Sequence, residues 1–121
     1  MFRKLKPIMF EDSRLPVILS KFAPIEIGAI TLFPFVFSRG KMSEETKRHE
    51  TIHFQQYLET AVVGFLVLYL WDYAVSILKG VKGREAYRSI RAEVEAWDND
   101  DNEDYLENRK RWSWIWKKRN D

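Results

Sequence analysis

The only two histidines of the chain, His49 and His53, stand four residues apart in Arg48-His49-Glu50-Thr51-Ile52-His53, and no other feature limits the fold so sharply. On an α-helix, positions i and i+4 lie one above the other, so both imidazoles project from one face toward one point. A tetrahedral Zn²⁺ takes neutral nitrogen ligands that converge in this way, with a carboxylate beside them to accept a proton from water on the metal. Glu50 stands in that place and completes the pattern H-E-x-x-H. The segment is therefore expected to be helical, and a second element must approach it with a further ligand.

The remaining composition narrows the setting. A chain of 121 residues forms one domain, residues 1–121, with no room for a second core. Twenty basic residues against eighteen acidic ones leave a formal charge of +2, which argues neither for nor against nucleic acid; no nucleic-acid partner is expected. The absence of cysteine excludes a disulfide framework, a cysteine-based zinc finger and a thiol nucleophile. Residues Met1 to Phe10 are basic but lack the long apolar core and small-residue cleavage site of a signal peptide. A cytoplasmic or membrane-associated location is the resulting expectation.

Along the chain, residues 1–24 are interrupted by Pro7, Pro16 and Pro24 and read as extended segments and turns. The run from Ile25 to Phe37 is β-branched and aromatic and reads as a strand, with Pro34 at an edge or bulge. Residues 38–41 form a turn. Ser43 has the character of an N-cap and is followed by Glu44 and Glu45, so the motif helix should start there and run to about Glu59. An apolar stretch follows from Ala61 to Leu78, then a basic turn flanked by Gly80 and Gly83. A polar helix is expected from Glu85 to about Asp98, an acidic break at 99–102, and a last helix within 105–119 that packs its tryptophans on the core. The fold class is thus α+β and mainly helical: a short N-terminal sheet or hairpin followed by four helices.

Two histidines hold zinc poorly alone, and a catalytic site normally has three protein ligands. The H-E-x-x-H pattern on a helix is the signature of zinc metallopeptidases. Where metzincins continue with a glycine and a third histidine, this chain has Gln56 and Glu59, so that class is excluded. The third ligand must be a carboxylate, and Glu93 or Glu95 is the best source. Being about 200° apart on a helix, only one of them can face the metal.

Glu93-Val94-Glu95-Ala96 resembles the start of the third-ligand motif E-x-x-A-D of gluzincin-type metallopeptidases. The resemblance implies Glu93 as the ligand and Ala96 as the small residue that keeps the helices close. Trp97 replaces the motif's aspartate, leaving Asp98 or Glu95 to take over the orienting role. More broadly, the strand 29–37, the motif helix 49–56, the helix 86–97 and the tail 105–112 are similar to those of a group of small bacterial and phage H-E-x-x-H proteins. The similarity spans most of the chain and supports zinc, without implying a substrate.

The chemistry so implied is peptide-bond hydrolysis: Zn²⁺ on His49, His53 and Glu93, with Glu50 as general base and a peptide or protein as substrate. The extended residues 30–37 could align that peptide by strand addition. An oxyanion donor is also expected, with Tyr87, Arg88, Arg91 and Tyr105 all eligible. Gln56, one turn past His53, is either a support for the histidine or a surface amide. The other class of function is a non-catalytic module, in which zinc clips together a phage or cell-envelope assembly component. Residues 61–78 and 105–119 could contact a membrane surface. The stretch 61–78 is near the lower length limit for a transmembrane helix. A central Asp72 would cost about 2.5–3.5 kcal/mol on an insertion scale, which the surrounding Leu, Val and Phe could offset; a core helix buried on most sides is the expected reading.

Overall fold

The β-branched run of residues 25–37 folds as a hairpin instead of one strand. A computed structural model of the chain describes residues 6–21 and 27–116, so residues 25 and 26 of that run lie outside the described residues. Strand β2 (Ala29–Leu32) and strand β3 (Phe35–Ser38) pair antiparallel, with Thr31 opposite Val36. Strand β1 (Ile8–Phe10) joins the other edge of β3 in parallel, giving the order β1-β3-β2. Phe33 and Pro34 form the turn. Proline cannot donate to a central ladder, and the turn spares it that role while its carbonyl accepts Ile8 N–H at 3.0 Å. A second departure from expectation is helix α1 (Leu15–Ser20), in a segment read as extended. Pro16 sits in its first turn, where a missing N–H costs nothing because that donor has no helical partner.

Helix α2 (Glu44–Glu59) begins and ends where expected: the Ser43 hydroxyl accepts Thr46 N–H at 3.1 Å, and Glu44 and Glu45 occupy the first turn. Helix α3 (Val63–Leu78) follows a bend of 113°. Ala61 and Val62 take positive φ at the bend, and a Cβ on Gly64 would lie 2.9 Å from Thr60 Cβ, so the tightness of this corner depends on that glycine.

Helix α3 is not buried on most sides. Phe65, Asp72 and Ser76 line its covered face, while Val67, Leu70 and Trp71 are exposed. No single helix among the described residues is long and apolar enough to cross a membrane. Asp72 instead serves the fold from inside the protein. Arg91 grips it through Nε at 2.9 Å and Nη2 at 3.0 Å, and Arg91 N–H reaches it at 3.1 Å. That carboxylate caps the first turn of a new helix, so the polar helix expected at 85–98 is two helices, α4 (Gly83–Arg88) and α5 (Arg91–Asn99). Ser89 between them is buried, its hydroxyl bonded to Ser76 at 2.7 Å and to the Ala86 carbonyl at 2.8 Å.

The architecture is α+β and 58% helical, a small sheet followed by helices. The C-terminal segment is not one helix. It comprises α6 (Tyr105–Asn108) and a 3₁₀ turn (Ser113–Trp116); residues 117–119 lie outside the described residues. Arg109 divides the two because its side chain is drawn inward, between Glu59 of α2 and Glu95 of α5, with Gln55 at 3.0 Å. Glu59 also accepts from Trp114 Nε1 at 3.0 Å, and Trp114 packs 6.3 Å from Phe65 in the main apolar cluster. Removing one partner of a buried ionic network leaves the others uncompensated. Arg109→Ala is therefore expected to cost about 3–5 kcal/mol of folding stability, measured by urea denaturation.

Candidate metal centre

Helix α2 turns His49, Glu50, His53 and Gln56 toward the sheet and α5, and α5 supplies Glu93; all five are buried. His49 Nε2 lies 3.3 Å and His53 Nε2 3.1 Å from the same oxygen, Glu93 Oε1. These three side chains are the group of His, Asp and Glu residues, among the described residues, whose ligand atoms come close enough to share a metal ion. Glu95, the alternative third ligand, faces away and accepts from Gln56, Tyr105 and Arg109.

The outer nitrogens decide what the inner ones present. His49 Nδ1 is 2.9 Å from Asp100 Oδ2, an acceptor only, so Nδ1 carries the proton. His53 Nδ1 is 2.8 Å from Gln56 Oε1. The Gln56 amide is oriented by its own donations, to the Ala92 carbonyl at 3.1 Å and Glu95 Oε1 at 2.8 Å, so its oxygen must face the histidine. Each neutral imidazole therefore points an Nε2 lone pair at a carboxylate oxygen. Three lone pairs meeting at 3.1–3.3 Å repel one another unless a cation lies among them. A tetrahedron with metal–ligand bonds of about 2.0–2.1 Å has edges of about 3.3 Å, close to the two distances to Glu93 Oε1, and all three donor atoms lie within 4.8 Å of one another.

Protons are the competing cation. Burial works against charging His53, but the Glu93 charge and hydrogen bond outweigh it and hold the imidazole up to about 9. His49 is raised in the same way, burial being overcome by its hydrogen bond to Glu93. Burial favours a protonated Glu93, yet the two histidines hold its carboxyl well below the usual range.

Glu50 stands beside this group, itself buried. Thr31 of β2 donates to its Oε1 at 2.9 Å, and its Oε2 is 3.9 Å from His49 Nε2. The hairpin thus positions Glu50 while α5 positions Glu93. Trp97 meets His49 edge-on, ring centres 4.8 Å apart, and Phe65 meets His53 at 6.0 Å. These aromatic rings add to the burial of the three side chains, and a low local dielectric strengthens charge interactions among them.

Two supporting residues escape sequence reasoning. Asp98 is exposed and Glu95 is committed to Arg109, so neither orients a ligand; Asp100 does, from the acidic break after α5. Arg48 anchors that break by donating to the Asp100 carbonyl at 2.5 Å. Tyr69 donates to Glu93 Oε2 at 2.7 Å, although it lies in the apolar stretch where no pattern marks it out. Gln56 is fully buried support and not a surface amide. Of the four residues considered as oxyanion donors, Arg91 is held by Asp72, Tyr105 by Glu95, and Arg88 lies 4.2 Å over the Trp97 ring. Tyr87 remains beside the centre, where burial and the charges of Glu93 and Glu50 push its hydroxyl pKa up and keep it a neutral donor.

The chain matches no known family model, no characterised protein and no solved structure.

A pH dependence follows from His53. Its folded pKa of about 9 exceeds the unfolded value of 6.5. In chelator-treated protein this contribution is complete below pH 6.5 and is lost as pH rises toward 9. Glu93, depressed on folding, contributes above its unfolded value of 4.5 and loses that contribution in more acid solution. Urea melts with chelator should show stability falling between pH 6.5 and 9, and His53→Asn should flatten the fall.

Proposed function

We propose that the protein is a zinc-dependent hydrolase of peptide bonds, with His49, His53 and Glu93 as ligands and Glu50 as general base. The observation that carries this reading is the convergence of two tautomer-locked imidazoles on one Glu93 oxygen, with the Glu50 carboxylate alongside. A divalent ion held there would lower the pKa of water and polarise a substrate carbonyl. Glu50, steadied by Thr31, accepts the proton and returns it to the leaving amine. Strand β2 is at the end of the strand order and carries Thr31, so an extended peptide paired to β2 would pass beside Glu50. Tyr69 and Tyr87 are the neutral hydroxyls nearest to Glu93 that can steady negative charge.

A second reading is favoured by burial. The ligands and Glu50 are each no more than 6% exposed, which suits a closed clip joining α2 to α5 in a non-catalytic assembly module. Structural zinc sites are closed, whereas catalytic ones keep an open position.

Elemental analysis should find about one zinc per chain. Glu93→Gln should abolish tight binding. Asp100→Ala should weaken affinity about 10–100-fold by releasing the His49 tautomer. Glu50→Gln should retain zinc while cleavage across a peptide library falls at least about 100-fold. Zinc-loaded wild type that cleaves no peptide would establish the clip instead, and protein without tight metal would end both readings.

A further inference from the structure

Helix α3 carries a face that the protein leaves uncovered. Val63, Val67, Leu70, Trp71 and Leu78 are 60% or more exposed, and their spacing puts them on one stripe about 100° wide. The opposite side of the helix holds the buried Phe65, Asp72 and Ser76. Asp72 is the sole charged residue of α3 and is committed to Arg91, so the outer face bears no charge. The 3₁₀ turn is fastened along this helix by Trp114 against Phe65 and by Arg91, which joins Asp72 to the Ile115 carbonyl at 2.6 Å. From that turn Trp116 projects, 84% exposed.

We propose that this face docks α3 lengthwise in the headgroup region of an anionic lipid membrane. The proposal is independent of the metal chemistry. A helix of sixteen residues is about 24 Å long, short of the roughly 30 Å hydrocarbon core, and its inner face is bound to protein. It therefore lies in the interface and does not span it. Charge selects the occupant. The turn after α3 and the start of α4 expose Lys79, Lys82 and Arg84 against one exposed acid, Glu85. Each basic residue near an anionic leaflet adds to the attraction, and exposed tryptophan prefers the headgroup zone. A second copy fits worse. Antiparallel pairing would bring Lys82 and Arg84 to the positive N-terminal end of the other α3, whose first turn has no acid. Parallel pairing would set the basic turns against each other.

The test is co-sedimentation of the full-length chain with vesicles of phosphatidylcholine, with and without phosphatidylglycerol. Wild type should sediment with the anionic vesicles, less so as salt is raised, and only weakly with neutral ones. Val67→Glu with Leu70→Glu should abolish sedimentation. Lys82→Glu with Arg84→Glu, at two exposed positions around the start of α4, should weaken it at least about tenfold. Circular dichroism should show both variants folded, and Glu50→Gln should sediment like wild type. Wild type left in solution by anionic vesicles would overturn the proposal. So would unchanged binding of the folded variants, or a concentration-dependent dimer in ultracentrifugation that Leu70→Glu dissolves without any vesicle binding.

Discussion

Helix α2 buries its own polarity, and the rest of the molecule is arranged to make that tolerable. His49, Glu50, His53, Gln55, Gln56 and Glu59 are all buried on one sixteen-residue helix. Left unpaired, each would cost more than its hydrogen bond returns in water. The surrounding elements therefore exist largely as partners: Thr31 of β2 for Glu50, Glu93 of α5 for both histidines, Asp100 for His49, and Arg109 for Gln55 and Glu59. A satisfied network of this kind defines one arrangement, because any slippage leaves several groups unpaired at once.

The network runs without a gap from the C-terminal segment to the histidines. Arg109 holds Glu95, Glu95 accepts from Gln56, and the Gln56 oxygen accepts a hydrogen bond from His53 Nδ1–H. The tautomer of His53, and so the direction of its lone pair, rests on a residue more than fifty positions further along. This arrangement explains why a domain with so modest an apolar cluster, Tyr57, Phe65, Ile90, Ala92 and Trp114, still holds its central side chains at fixed distances. Of the apolar residues left outside that cluster, Val63, Val67, Leu70, Trp71 and Leu78 lie on the outer face of α3, and others, such as Ile8, Phe10 and Phe35, on the sheet.

Local signals are legible where one residue acts on its immediate neighbours. The Ser43 cap, the acids beside it and the four-residue histidine spacing specify α2 and the face its imidazoles share. The hairpin is harder to read because β-branched and aromatic residues favour extended backbone on both sides of Phe33-Pro34 without marking the reversal. The split between α4 and α5 has no local mark either, since it follows from Asp72, nineteen residues away, capping Arg91. The same holds for the C-terminal segment. Its tryptophans suggest one helix, but Arg109 is pulled inward between two distant glutamates and interrupts it.

The sequence by itself determined that residues 44–59 form a helix with both histidines and Glu50 on it, because capping and 3.6-residue periodicity are short-range properties. It also placed an acid-bearing helix downstream. Only the tertiary structure decided that Glu93, and not Glu95, meets the histidines, that Asp100 and Gln56 set their tautomers, and that Tyr69 joins them. Those choices depend on how α5 is rotated against α2. That rotation is set by the pairing of buried charges across many residues, which no local pattern records.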